Sequence, residues 1–418
     1  MLTYPLSSGV PTGYNYATKP DTYGQWFDGS NMNIRQFSDL FTTSNLTQAP
    51  ALTTLYSGAG LTVNSKFLGA TWHNWPNTKT TGIRTNVKGT LLDKMSFSIK
   101  TARTHDWFPN SDGSVQWQYL EAANDTMTWV NADNFVDYWT AQGADVLFTL
   151  GFTPDWASAA AAPAGGSIYG GKSANPPDNM ADWSDFVSRV ATRFNGRVKY
   201  YEIWNEPDNS LRWFNGTVAN YAQMLRLANQ AIKAVDATAK IIAPGSAGVG
   251  SANRTWLTNM LAASVGAAGT GKDWVDIVSF HQYYSGVTNF NTFQTDLVSY
   301  KAVLSAAGLG SAELWCDELG VNTTHSSYNG VPLGPETSRL RFLLRMIYIM
   351  AVNSVTRILI YSMDSTTLSL PYFSGDISNL RSNIETHVNY LINGQVTLVN
   401  QLADGRLAVV AAGQNYLI

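Results

Sequence analysis

The chain predicts an α/β fold, a (β/α)8 or TIM barrel with an N-terminal extension and a small C-terminal β element. Three observations carry this expectation. Eight short apolar runs, rich in β-branched and aromatic residues, recur between Phe67 and Tyr361. Longer stretches with apolar residues at helical spacing lie between them. Several of the short runs stop in clusters of polar and aromatic residues, as strands do at the carboxyl-end rim of a parallel barrel.

Residues 1–65 are rich in Thr, Ser, Gly and Asn and show no regular period. They are read as an extension that packs on the barrel or joins a β module. Residues 66–392 are assigned to the barrel. Phe67–Trp72 is its first strand, running into His73, Asn74 and Trp75. Met95–Arg103 is the second; Phe97 and Ile99 alternate, and it ends in Thr104, His105, Asp106 and Trp107. Phe135, Val136 and Trp139 share one face of a helix over 131–142. Asp145–Leu150 is the third strand. The Ala- and Gly-rich run 157–173 is read either as a flexible lid or as a disordered surface loop. An amphipathic helix over Asp182–Phe194 leads to the fourth strand, Val198–Trp204. That strand must stop by Pro207, which has no amide hydrogen to give a ladder. Helix Val218–Val235 and strand Lys240–Pro244 follow. Helix Ala252–Ala263 precedes the sixth strand, Trp274–Phe280, which ends in His281, Gln282, Tyr283 and Tyr284. Helix Phe293–Ala307 precedes the seventh strand, Ala312–Glu318, closed off by Gly320. A long helix over Glu336–Asn353 and a strand over Thr356–Tyr361 complete the eight units. Residues 393–418 read as a hairpin turning at Asp404-Gly405, a small β element open to being the start of an accessory β domain.

Composition limits the partners. A chain of 418 residues, 44% hydrophobic and 12% aromatic, suffices for one large barrel and a small module. No apolar run approaches the roughly 20 residues of a membrane span. With a net charge of −3, 14% charged residues and no basic stripe, nucleic acid is not expected as a partner. The single cysteine, Cys316, excludes a disulfide framework. The five histidines show no zinc spacing, so no metal and no cofactor are expected. Met1 is not followed by a charged segment and an apolar run. Low lysine with abundant Asn, Thr and Ser suits an extracellular or secreted protein.

Two of the predicted strands end in a carboxylate. One is Tyr200-Tyr201-Glu202-Ile203-Trp204-Asn205-Glu206-Pro207; the other is Leu314-Trp315-Cys316-Asp317-Glu318-Leu319-Gly320. A barrel enzyme keeps its chemistry at the carboxyl tips of its strands. Three β/α units fit between the two acids, so Glu206 ends strand four and Glu318 ends strand seven, on opposite walls of the mouth. Paired carboxyl groups across a cleft are the minimal machinery of glycoside hydrolysis. Strict alternation turns Asp317 away from Glu318, and Glu313 only begins its strand, so neither is assigned to the site. Glu202 shares a strand face with Glu206 and is read as an interior acid paired with a base such as Arg103. The 14 Trp and 20 Tyr suit sugar stacking and equally suit a large core.

The Tyr-Glu-Ile-Trp-Asn-Glu-Pro and Leu-Trp-Cys-Asp-Glu-Leu-Gly elements resemble those of clan A retaining glycoside hydrolases, most of all family 39. That family includes β-xylosidases and exopolysaccharide hydrolases. The similarity runs from about Phe67 to Asp364. The resemblance implies Glu206 as acid/base and Glu318 as nucleophile, with a carbohydrate as partner. It implies that Arg103 and Tyr283 bind the nucleophile and that Asn205 holds the sugar 2-hydroxyl. His281 either orients a glutamate or is a structural histidine. Arg103 alternatively serves only to neutralise Glu202. Trp156, Trp72 and Trp107 are either stacking platforms or core, and His105 is placed with them at the cleft. One departure is the end of strand eight, where Tyr361-Ser362-Met363-Asp364 offers Met363 in place of the usual Trp. The rival reading is a non-catalytic carbohydrate-binding barrel.

Overall fold

The apolar runs pair side by side because each is covered by a helix on its outer face and by its neighbours' side chains within. The computed structural model describes residues 53–72, 99–104, 115–284, 290–321, 327–328, 331–332, 336–361, 378–402 and 407–418. Eight parallel strands close into a barrel: β2 Leu68–Trp72, β3 Thr101–Thr104, β4 Asp145–Leu150, β5 Tyr200–Ile203, β6 Lys240–Ser246, β7 Ile277–Tyr284, β8 Glu313–Val321 and β11 Val355–Ile360, which returns to β2. Strand β1, Thr53–Leu61, precedes the barrel. A two-strand ribbon, β9 Ser327–Tyr328 and β10 Val331–Pro332, lies between β8 and β11.

The helices are α1 Trp117–Leu120, α2 Val130–Ala141, α3 Met180–Phe194, α4 Val218–Val235, α5 Ser251–Ala262, α6 Phe290–Ala306, α7 Glu336–Val352 and α8 Ser378–Ile392. Helix α3 starts where the Asn179 side chain accepts the Ala181 amide, and it buries Trp183, Phe186, Val187, Val190 and Phe194 along one stripe. Helix α4 starts at a reciprocal capping box between Thr217 and Asn220. Strand β7 begins later than expected, because Gly271–Trp274 forms a 3-10 turn capped by Thr270 and Asp273. It also continues through His281 to Tyr284. Strand β3 covers only the end of the expected second strand; residues 95–98 of that expectation lie outside the described residues.

Strand β1 pairs antiparallel with β12, Val396–Gln401, which pairs with β13, Leu407–Ala411, and then β14, Gln414–Leu417. Gln401 faces Leu407 across the hairpin; Asp404 and Gly405 lie outside the described residues. The mixed origin of this sheet, one strand from before the barrel and three from after it, ties the two ends of the described chain together.

The barrel interior is layered. Leu147, Ile242, Ile277, Trp315 and Leu359 form its apolar floor with Tyr200. The Arg357 guanidinium lies 4.6 Å from the Tyr200 ring centroid and 4.4 Å from that of Trp315, and donates to Asp145 and Thr101. Two residues further along each strand the same face carries Arg103, Thr149, Glu202, Ser279 and Asp317, all buried. This polar layer sits directly beneath the mouth.

Candidate active site

Strand β5 ends at Ile203, and the backbone then turns sharply: Trp204 and Glu206 both take left-handed conformations, φ 67° and 48°. For non-glycine residues this costs about 1–3 kcal/mol each and persists only where neighbours enforce it. The Trp204 amide donates to Leu150 O (2.7 Å) and its indole to Trp213 O (2.9 Å), with the ring against Phe152 and Phe214. The Glu206 amide donates to Gly245 O at 3.0 Å. So clamped, the turn aims Asn205 at Arg103 and Glu206 at His281.

Arg103 is fully buried and grips three groups at once. Its Nε donates to Glu202 Oε2 (2.8 Å), Nη1 to Glu318 Oε1 (2.5 Å) and Nη2 to Asn205 Oδ1 (2.7 Å). Arg103 thus contacts both acids that the sequence offered as its alternative partners, Glu202 and Glu318. Its positive charge, set among these acids, meets the buried carboxylates from within the protein. The Tyr283 hydroxyl donates to Glu318 Oε2. Burial, with the Glu318 charge beside it, holds that hydroxyl protonated far above the usual tyrosine range, so it remains a donor. His281 is also buried, with Nδ1 2.8 Å from Glu206 Oε1 and 3.4 Å from Glu318 Oε2. It touches both glutamates. Burial disfavours its charge, but Glu318, Glu206 and Asp317 outweigh burial and push its pKa up to about 10. One oxygen of Glu206 and one of Glu318 lie within 4.8 Å of each other.

Two residues not assigned from sequence join the site. Asn209 donates to Glu206 Oε2 at 2.6 Å; its place three residues on, in the turn that follows, could have suggested it, but the sequence reading did not use it. The other is Asp317, and here the alternation argument fails. In the β7–β8 ladder Phe280 pairs with Cys316 and His281 with Glu318, so Asp317 is skipped in a β-bulge. The bulge lets both acids face inward, with Asp317 Oδ1 3.5 Å from His281 Nε2. Burial raises Glu202 to about 8 despite the neighbouring guanidinium, with Asp317 adding to the rise.

Trp156 is used in packing: its indole donates to Glu121 O (2.8 Å) and its ring meets Trp117 edge-on at 6.0 Å. The run 157–173 is stapled rather than loose. Asp178 accepts from the Ala159 amide, Asp155 from the Lys172 amide, and Asn175 donates to Ala160 O. The Trp72 backbone ends β2 opposite Thr104; the Trp72 side chain, and His105, Trp107 and Met363 entirely, lie outside the described residues.

A closed parallel barrel whose carboxyl-end rim carries two facing buried acids belongs to the class of paired-acid barrel proteins. Residues 81–302, more than half of the chain, match the family model described as glycosyl hydrolases family 39. The chain belongs to that family. A curated β-xylosidase from Caldicellulosiruptor saccharolyticus is 25% identical over 163 residues, 37% of this chain and 32% of that protein. A β-xylosidase from Geobacillus stearothermophilus is 25% identical over 169 residues, 39% and 32% of the two chains. The aligned part is thus about a third of these relatives' length. The crystal structure of a monomeric β-xylosidase from Caulobacter crescentus shares the fold with a TM-score of 0.58 at 18% identity, over 85% of this chain and 75% of that one.

Proposed function

We propose that the protein is a retaining β-glycosidase acting on an oligo- or polysaccharide, with Glu206 as acid/base and Glu318 as nucleophile. The observation that carries this is that one ring nitrogen meets both acids, His281 Nδ1 lying 2.8 Å from Glu206 Oε1 and 3.4 Å from Glu318 Oε2, which draws the two carboxyl groups close together. Retaining pairs stand about 5–5.5 Å apart, inverting pairs about 6.5–9.5 Å with room for a water between them. Their surroundings divide the roles. Glu318 accepts from a guanidinium and a tyrosine hydroxyl, donors that favour a charged nucleophile. Glu206 faces an imidazole, a partner able to exchange a proton.

In the first half-reaction Glu318 bonds to the anomeric carbon while Glu206 protonates the departing oxygen, which leaves with the bond's electron pair. In the second, water attacks the same carbon, gives a proton to Glu206, and Glu318 departs, so the configuration is retained. Asn205, its carbonyl held by Arg103, has its amide nitrogen to donate to the sugar 2-hydroxyl. An extracellular site of action fits a polymeric substrate and the low lysine content. Because the curated relatives are named β-xylosidases, xylosides are the first members of an aryl-glycoside and polysaccharide panel. Anomeric configuration followed by NMR is expected to show retention. Glu318→Gln is expected to abolish turnover on every substrate. Glu206→Gln is expected to do least harm with good leaving groups, which need little protonation. Inversion, or equal leaving-group dependence in both variants, would overturn the proposal.

A further inference from the structure

Among the described residues, Asp317 is the one acid of the site whose two carboxyl oxygens are both buried without a hydrogen-bond partner. His281 Nε2, 3.5 Å away, is likewise buried without one. A buried carboxyl group left unpaired costs free energy. The β-bulge that turns it inward is a specific departure from the ladder, and bulges commonly re-aim side chains beside active sites. On the far side of the same ring, Nδ1 meets Glu206 Oε1 at 2.8 Å. Asp317, His281 and Glu206 thus form a line through one imidazole, from beneath the mouth to the proposed acid/base.

We propose that Asp317 is a positioning residue for the acid/base: by holding a proton on His281 Nε2 it sets what Nδ1 presents to Glu206. The proposal rests on the glycosidase reading above. A group at one imidazole nitrogen fixes the state of the other. His281 and Glu206 share one proton along the Nδ1–Oε1 contact. When the glycosidic C–O bond breaks, that proton goes with Glu206 to the leaving oxygen; in the second half-reaction the attacking water returns one to the pair. The Nε2 proton stays facing Asp317 throughout, so the pair ends each cycle as it began.

The groups around the ring are Arg103 from β3, Glu202 from β5 and Glu206 after it, Asp317 and Glu318 from β8, and Tyr283 on its own strand. Glu318 and Glu206 keep a proton near the ring whichever nitrogen holds it; Asp317 is the acid paired with Nε2, and a Glu202 oxygen lies within 4.8 Å of an Asp317 oxygen and of a ring nitrogen. The Asp317 charge is among those that raise His281. Asp317→Asn keeps the shape and removes that charge, so the shared proton should leave more easily.

The test compares the pH profile of kcat/KM in wild type and Asp317→Asn, on aryl glycosides of good and poor leaving groups. The basic limb is expected to move to lower pH by about one unit or more, with the larger rate loss on poor leaving groups. In the His281→Gln background the same substitution is expected to leave the profile unmoved. An unmoved limb in Asp317→Asn, or an equal displacement without the imidazole, would overturn the proposal and leave Asp317 a structural acid. A readout free of turnover and of that variant's folding is 15N NMR of the wild-type His281 ring. Nε2 is expected to remain protonated through neutral pH; a bare Nε2 would overturn the idea. A glycosidase reading that failed would show instead in Glu206→Gln, as no dependence on the leaving group.

Discussion

One guanidinium holds the site together. Arg103 joins an interior acid, the proposed nucleophile and the Asn205 amide through a planar fork. A lysine ammonium cannot reproduce that geometry. Arg103→Lys is therefore expected to lower the melting temperature and turnover together. Breaking a buried ion pair costs about 3–5 kcal/mol, and loss of an aligned donor costs about 10²-fold in rate. Melting measured beside turnover separates the parts: full specific activity in a destabilised protein would restrict Arg103 to Glu202. Tyr283→Phe removes a single hydroxyl from Glu318 and is expected to cost about 10²-fold in kcat, with little change in melting. The two glutamates were legible as acids at strand ends, while Arg103, Tyr283 and Asn205 came from the resemblance of their motifs to clan A hydrolases, and His281 was left between an orienting and a structural role. The sequence left Arg103's partner open because one inward-facing guanidinium reaches acids from two other strands, and spacing along a chain carries no such cross-barrel distance.

At the scale of elements, Tyr283 reaches Glu318 only because β8 carries glycine at position 320. A Cβ there would stand 2.5 Å from Tyr283 Cε1 and 2.8 Å from Cδ1, closer than real contacts allow. Gly320→Ala is expected to displace the ring and lose about as much turnover as Tyr283→Phe, and the double variant is expected to be no worse than either single one. Full additivity in that cycle would show that the glycine serves something other than the ring. The same strand marks where sequence reading stops. Helix α4 spans the expected Val218–Val235, because a capping box and an apolar stripe are both written locally. The bulge at Asp317 is not, since it is a mismatch between β8 and β7 and depends on both strands. The 157–173 run misled in a similar way. Its composition is that of a loose loop, while Asp155, Asp178 and Asn175 staple it from outside, and Ser167, Lys172 and Ser173 bond its own carbonyls from within.

At the scale of the whole molecule, two buried histidines give the fold opposite pH limbs. His281 lies among carboxyl groups at the barrel mouth, with its pKa raised from 6.5 to about 10. A raised pKa means stability that is fully present below 6.5 and lost as pH rises through 10. Glu202, raised from 4.5 to about 8, acts in the same direction over its own range. His387 lies at the other end of the described chain, on α8, where Tyr348 of α7 bonds its Nδ1 and Tyr416 of β14 packs on its ring at 4.8 Å. Burial lowers its pKa from 6.5 to about 4, so the stability it contributes is present above 6.5 and lost as pH falls through 4. Between 4.5 and 6.5 Glu202 and His387 oppose each other; above 6.5 Glu202 and His281 act together. The melting temperature is therefore expected to change little across the acidic window and to fall steadily above it. Each limb has its own variant. The melting difference between wild type and His387→Gln should shrink as pH falls below 6.5, because only the wild type loses stability there. The difference from His281→Gln should shrink as pH rises above 6.5, for the same reason in reverse. Each full limb is worth about 1.4 kcal/mol per pH unit at most. Two differences that run parallel across pH would contradict the assignment of opposite limbs to the mouth and to the C-terminal sheet.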